Sequence, residues 1–149
     1  MNDTQWMQRA LELAKKAEQA GEVPVGAVLV KDNQLIAEGW NQPILSHDAT
    51  SHAEIMAMRE AGKKLNNYRL INTTMYVTLE PCSMCVGAMI HARVTRVVYG
   101  AAESRTGALG GAFNLFEVSQ HNHIFEVEAG VMAEESKTLL QNFFRSRRK

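Results

Sequence analysis

The segment TMYVTLEPCSMCVGAMIHARVTRVVYG (residues 74–100) decides the fold class, because it has the pattern of a strand, a helix and a second strand in succession. Apolar and polar residues alternate over 74–79, as is typical of a strand. Pro81 suits the first position of the following helix, because it has no N–H to leave unpaired. Residues 94–99 form the second strand-like run. Two strands joined through a helix are expected to be parallel, with a right-handed crossover.

The N-terminal part predicts a helix followed by a β-hairpin. Small and apolar residues recur at helical spacing at Met7, Ala10, Leu11, Ala14 and Ala17. Asp3 or Thr4 is the candidate cap of this helix, and Gly21 is the candidate stop. Residues 25–30 and 35–40 are strand-like runs separated by four residues rich in turn formers, which indicates a hairpin.

The remaining segments complete an α/β pattern. The loop over 41–51 leads into a second long helix that is expected from His52 to about Ala61. A weak element around 114–118 precedes a candidate fifth strand over 125–129. The last helix carries an apolar stripe made of Met132, Leu139, Leu140, Phe143 and Phe144. No linker or repeat divides residues 1–149, so we expect a single domain with a mixed sheet of about five strands and helices on both faces.

Composition excludes several classes of protein. Two cysteines in 149 residues cannot make a disulfide-rich scaffold, and a close pair is more often metal-binding or redox-active in a reducing compartment. The opening MNDTQW has no basic region, and no apolar run approaches the roughly 18 residues of a membrane span. The expected location is cytoplasmic.

Sixteen basic and sixteen acidic residues cancel, yet four of the last five residues are basic. That cluster fits either a solvated helix end or an RNA-binding surface.

Cys82 and Cys85 lie three residues apart in the first turn after a strand. Residues at i and i+3 share one face of a helix and can reach one ion, and the positive end of the helix dipole lowers thiol pKa values there. The motif is compatible with half of a zinc site or with a thioredoxin-like redox pair. The cysteines alone do not choose between these two functions.

The upstream segment SHAEIMAMRE (51–60) supplies the third candidate ligand. His52, Cys82 and Cys85 together make three protein ligands, and catalytic zinc sites keep a fourth position open for water, whose pKa falls to roughly 7. Structural zinc sites close with four protein ligands instead. The remaining histidines are candidates for that fourth ligand: His47, His91, His121 and His123.

Glu54, two residues after His52, is the carboxylate nearest to that ligand in sequence and is the candidate proton carrier. Positions i and i+2 point to opposite sides of a helix interior, so both side chains can approach one ion only if His52 lies at the mouth of the helix, which we predict. The alternative is a Ser51-x-x-Glu54 capping box, in which Glu54 would bind only the backbone.

His-x-Glu followed by Pro-Cys-x-x-Cys resembles the signature of the zinc-dependent nucleoside and nucleobase deaminase superfamily. The blocks EVPVGAVLV, GWN, NYRL, VVYGA, TGA and FFRSRR extend the similarity. With them, most of the chain resembles bacterial tRNA-specific adenosine deaminases.

The resemblance implies a three-layer, cytidine-deaminase-like fold and a homodimer with one Zn²⁺ per subunit. It implies that His52, Cys82 and Cys85 bind the zinc and that Glu54 is the catalytic proton shuttle. The implied reaction converts the wobble adenosine of a tRNA anticodon stem-loop to inosine and releases ammonia. The implied substrate-binding residues are Asn41, Ala53, Glu103, Asn122, His123, Phe144, Arg145, Arg147 and Arg148.

Three other functions share parts of this pattern. A deaminase of free bases or nucleosides would use the same zinc site without the basic tail. An RNA-binding module with a structural zinc would need a fourth protein ligand. A thioredoxin-like oxidoreductase would use only the two cysteines.

Overall fold

The computed structural model describes residues 1–118 and 121–147. Its strands are β1 (Gly26–Lys31), β2 (Gln34–Trp40), β3 (Thr73–Leu79), β4 (Arg96–Ala101) and β5 (Glu126–Glu128). They form one mixed sheet in the order β2-β1-β3-β4-β5. β1 is antiparallel to β2 and β3, whereas β3, β4 and β5 are mutually parallel. The hairpin, the parallel crossover and the fifth strand are confirmed.

The helices cover both faces of this sheet. They are α1 (Asp3–Gln19), α2 (Pro43–Ser46), α3 (Ala53–Leu65), α4 (Ser83–Ala92) and α5 (Ala133–Arg147), with a 3₁₀ turn at Leu115–Glu117. α1 and α5 contact each other on one face, and α3 and α4 contact each other on the other. Ala27 and Leu29 of β1 join the α3–α4 core, while Val28 and Val30 join the α1 core. This alternation gives three layers. Within the described part of the chain, no helix is long and apolar enough to span a membrane.

The structure corrects the predicted starts of two helices. Asn2, rather than Asp3 or Thr4, caps α1, because its side chain accepts from the Gln5 N–H while the Gln5 side chain accepts from the Asn2 N–H. This reciprocal pair satisfies two unpaired donors. Pro81 does not occupy the first turn of α4, because Cys82 is the extended N-cap residue and the helix begins one residue later.

Two further differences concern the segment between β2 and β3. The loop over 41–51 contains α2, a single turn that the sequence pattern did not predict. α3 continues to Leu65, about one turn beyond the predicted end, and stops at Asn66 in the left-handed conformation. Gly39 of β2 lets the start of α3 approach the sheet, because a Cβ there would collide with the Ala53 carbonyl oxygen. The beginning of α3 is therefore fixed against the sheet.

Candidate active site

Two helix N-termini meet at the candidate site. His52 is the N-cap residue of α3, with extended backbone angles (φ −69°, ψ 156°). Cys82 is the N-cap residue of α4 (φ −79°, ψ 175°), and Cys85 lies in the first turn of the same helix. Because His52 precedes the helix, its side chain and that of Glu54 are not forced to opposite sides. The predicted position of His52 at the helix mouth is confirmed.

The three candidate ligands are close enough to hold one ion. His52 Nδ1 lies 3.6 Å from Cys82 Sγ and 3.5 Å from Cys85 Sγ. Their ligand atoms all lie within 4.8 Å of one another. One imidazole nitrogen and two sulfurs form a donor set suited to a transition metal. These three residues could therefore hold a metal ion.

The other four histidines do not join this group. Over residues 1–118 and 121–147, the only group of three or more His, Cys, Asp or Glu side chains that could hold one metal ion is His52, Cys82 and Cys85. His47 and His91 are exposed. The rings of His121 and His123 lie 3.0 and 2.7 Å from backbone carbonyl oxygens. Among the described residues, three protein ligands are therefore available to one ion, which is the number that catalytic zinc sites use.

The two thiols differ in their ionisation. Both cysteines are free, and the Cys82 thiolate accepts a hydrogen bond from Cys85. This bond, assisted by His52, lowers the pKa of Cys82 to about 4. The same bond, together with burial, raises the pKa of Cys85. Cys82 therefore presents a thiolate, the form that binds metal ions.

Glu54 lies beside the candidate ligands and is 4% exposed. Burial raises the pKa of its carboxyl group, and the opposite charge of His52 partly counters that effect. The capping-box alternative is wrong, because His52 occupies the N-cap and makes no side-chain capping bond. The Ser51 hydroxyl instead accepts from Ser46 Oγ at 2.9 Å. A buried carboxyl with a raised pKa is suited to carrying protons near neutral pH.

Asn41 connects this site to a cleft. Its Oδ1 atom accepts a hydrogen bond from the Ala53 N–H at 2.9 Å, which places the amide at the start of α3 beside His52. The cleft has a volume of about 400 Å³ and lies between residues 21–23, α2 and the end of α5. Asn41, Phe144 and Arg147 all line this cleft.

The end of α5 presents aromatic and cationic groups to the cleft. Phe144 is 46% exposed and packs edge-on against Phe143, with ring centroids 5.4 Å apart. The Arg147 guanidinium lies 4.9 Å from the Phe143 ring centroid and donates to the Gly21 carbonyl. Arg145 is exposed. Arg148, the last predicted contact of this group, lies outside the described residues.

The remaining predicted substrate residues contact other parts of this chain. Glu103 is half-buried, and its carboxylate accepts from the Arg105 N–H. Asn122 accepts from Arg93, and the His123 ring contacts the Val94 carbonyl. Both contacts are at the C-terminal end of α4, about 15 Å from its start at 1.5 Å per residue. Asn122 and His123 are therefore not gathered with Cys82 within this chain.

Two buried carboxylates were missed by sequence reasoning. Glu22, 2% exposed, accepts from the Ile44 and Leu45 N–H groups and so fixes α2 beside the cleft. Glu80, 3% exposed, accepts three backbone N–H groups from residues 103–111. The only sequence signal was a charged residue next to an apolar strand, in GEVPVGAVLV and TLEPC.

The mixed five-stranded sheet carries the His-Cys-Cys group at two helix starts with the buried glutamate beside it, which is the set of side chains in the zinc-deaminase signature. In agreement, residues 1–148 match the family model described as MafB19-like deaminase. The chain is 53% identical over 147 residues to the tRNA-specific adenosine deaminase of Haemophilus influenzae, with 98% of this chain and 85% of that protein covered. The chain belongs to the tRNA-specific adenosine deaminase family.

Solved structures agree on the fold. A structure from studies of A-to-I editing by tRNA:A34 deaminases at the wobble position of transfer RNA superposes with a TM-score of 0.86 at 40% identity. That alignment covers 92% of this chain and 99% of the other. The guanine deaminase of Bacillus subtilis has a TM-score of 0.67 at 34% identity, with coverage of 100% and 96%. The predicted cytidine-deaminase-like fold is confirmed.

Proposed function

We propose that this chain hydrolyses the wobble adenosine of a tRNA anticodon to inosine, with release of ammonia. The observation that carries the proposal is the pairing of the His52, Cys82 and Cys85 group with a cleft that extends from Asn41 to the aromatic and basic end of α5. Higher identity to a tRNA-specific adenosine deaminase than to a guanine deaminase supports the same substrate class.

We propose Zn²⁺, one per subunit, as the metal. Tetrahedral zinc with Zn–N of roughly 2.0 Å and Zn–S of roughly 2.3 Å separates a nitrogen and a sulfur ligand by about 3.5 Å. The nitrogen–sulfur distances of 3.6 and 3.5 Å fit this value. When bound, zinc supplies an activated water at neutral pH.

Glu54 performs the proton transfers in the proposed reaction. Its buried carboxylate takes a proton from the attacking water and places it on the purine ring nitrogen. It then takes the second proton from the hydroxyl group newly bonded to the purine carbon and delivers it to the amine, which departs as ammonia. The raised pKa of Glu54 favours these exchanges near neutral pH. Asn41, held by its bond to the Ala53 N–H, orients the base through its remaining amide donors.

The RNA is proposed to lie along the cleft and the end of α5. Anticodon bases are already unpaired, so turning one out costs less than opening a duplex. Phe144 offers a stacking surface worth about 1–3 kcal/mol per base. Arg145, Arg147 and Arg148 offer cations for phosphates. Glu103 is proposed to lie near the ribose of the substrate nucleotide, and Asn122 and His123 are proposed to help hold the anticodon loop.

We propose that the active form is a homodimer located in the cytoplasm, where its tRNA substrate is found. The surface that we propose for the contact between subunits is the groove of about 950 Å³ between α3 and α4. Ile55, Met58 and Leu70 line this groove, and Arg59 and Lys63 lie at the same surface. Sedimentation of the purified chain at micromolar concentration would give the mass of two chains.

Parallel incubation with several substrates tests the proposed specificity. The purified protein is offered a tRNA with a wobble adenosine, free adenosine, guanine and cytidine, and each product is identified by mass. Deamination of the tRNA alone is the expected result. Turnover of a free base or nucleoside alone would keep the metal chemistry but replace the proposed substrate.

A further inference from the structure

Glu80 is a buried carboxylate that the proposed chemistry does not use. It lies between the end of β3 and Cys82, and its carboxylate oxygens accept three backbone N–H groups. Oε1 accepts from Glu103 at 2.9 Å, and Oε2 accepts from Leu109 at 2.9 Å and from Gly111 at 2.8 Å. One side chain thus holds both ends of the loop over residues 103–111.

The loop is shaped around this carboxylate. A Cβ atom at Gly107 would collide with Cδ of Glu80, and one at Gly111 would collide with its Oε1 atom. These two glycines leave the space that the carboxylate fills. Glu80 and the loop are therefore complementary in shape as well as in hydrogen bonding.

The same loop is tied to the turn that presents Cys82. The Ala108 N–H donates to the Pro81 carbonyl at 2.9 Å, directly before Cys82. Ala108 is fully buried and belongs to the same core cluster as Cys85. Because Leu109 follows Ala108, the bond from Leu109 to Glu80 holds the peptide unit next to the one that donates to Pro81.

We propose that Glu80 is a positioning residue: by holding the loop over residues 103–111 against the Pro81–Cys82 turn, it fixes the orientation of Cys82 toward the metal. This inference rests on the proposed metal site. The carboxylate acts through the loop backbone, because both of its oxygens accept backbone N–H groups. Substituting a residue that orients a metal ligand typically reduces metal affinity by roughly 10–100-fold.

Glu80→Gln removes the charge with almost no change of shape. A glutamine has one acceptor oxygen, so its amide NH₂ must face at least one of the three N–H groups. The expected result is zinc affinity reduced about tenfold, measured by competition with a chromophoric chelator in the absence of RNA. Circular dichroism restricts the comparison to folded protein.

Glu22→Gln is the matched control. Glu22 is also buried and accepts two backbone N–H groups, from Ile44 and Leu45, but it supports α2 rather than the Cys82 turn. Both substitutions should lower the melting temperature, because each leaves buried donors without a good acceptor. Only Glu80→Gln should weaken zinc binding.

Gly111→Ala provides a second test that keeps the Glu80 residue but displaces its carboxylate, because the new Cβ would collide with Oε1. Its control is Gly87→Ala on α4, where an added Cβ meets no atom within 4 Å. Glu80→Gln and Gly111→Ala should weaken zinc binding alike. The inference would be overturned if these two variants fold and bind zinc with the affinity of the parent protein. It would also be overturned if neither of the two folds even at saturating zinc. Since no RNA is present, a wrong substrate assignment would leave this result unchanged.

Discussion

Glu54→Gln is the substitution that isolates the proposed proton transfers. Glutamine has nearly the shape of glutamate, so the packing around this 4% exposed side chain is retained. The amide cannot exchange a proton near neutral pH. His52, Cys82 and Cys85 are unchanged, and zinc binding should therefore persist.

The size of the effect follows from the work assigned to Glu54. A positioned general acid–base contributes about 10²–10⁴-fold to a rate, which is about 3–5 kcal/mol of transition-state stabilisation. The free energy of unfolding of the Glu54→Gln variant should rise or stay the same, although its rate falls. Burial raises the pKa of Glu54, so its charged form is disfavoured in the folded protein relative to the unfolded chain. Replacing it with a neutral group removes that penalty above the folded-state pKa.

Single-turnover inosine formation in a wobble-adenosine tRNA measures the rate, and metal analysis measures zinc content. We expect the Glu54→Gln variant to carry one zinc per chain and to melt no lower than the parent protein. It should deaminate the tRNA at least 100-fold more slowly. A zinc-loaded variant within tenfold of the parent rate would refute the role of Glu54.

Four other predictions concern the cleft, the α5 end and the N-terminus. Asn41→Asp keeps an acceptor for the Ala53 N–H but removes the amide donor, so kcat/KM should fall at least tenfold with Tm nearly unchanged. Phe144→Ala should weaken RNA binding by about 1–3 kcal/mol without altering zinc content, as titration with an anticodon stem-loop would show. Arg147→Ala should reduce the salt dependence of that binding by about 0.7 in the logarithmic slope. The pKa of Asp3 is lowered mainly by its hydrogen bond from Arg96. Ionised Asp3 should therefore add less than about 1 kcal/mol to the free energy of unfolding above pH 4, and this contribution should be lost as the pH falls through the folded-state pKa. Acid titration of Asp3→Asn should lack this component.

Regular elements were predictable because their signals are local. The apolar pattern of β3 and the run that forms β4 predicted a parallel pair, which the structure contains. His52 was expected at a helix mouth because its partner Glu54 is only two residues away. The cap of α1 was misplaced by one residue, since Asn2, Asp3 and Thr4 are all good caps and only the reciprocal bond with Gln5 decides among them.

The parts that escaped prediction depend on contacts between distant segments. α2 is one turn long, and Glu22 stabilises it from 22 residues away. Glu80 reaches a loop that begins 23 residues later. Asn122, which the resemblance assigns to substrate binding, lies against Arg93 at the C-terminal end of α4. Sequence spacing reveals none of these three arrangements.

The most direct test of the central claim measures inosine and ammonia together, using protein loaded with one zinc per chain and a tRNA whose wobble base is adenosine. The account predicts one ammonia per inosine, with inosine confined to the wobble position, and loss of both products when a chelator removes the metal. Zinc-loaded protein that forms no inosine in this tRNA would contradict it.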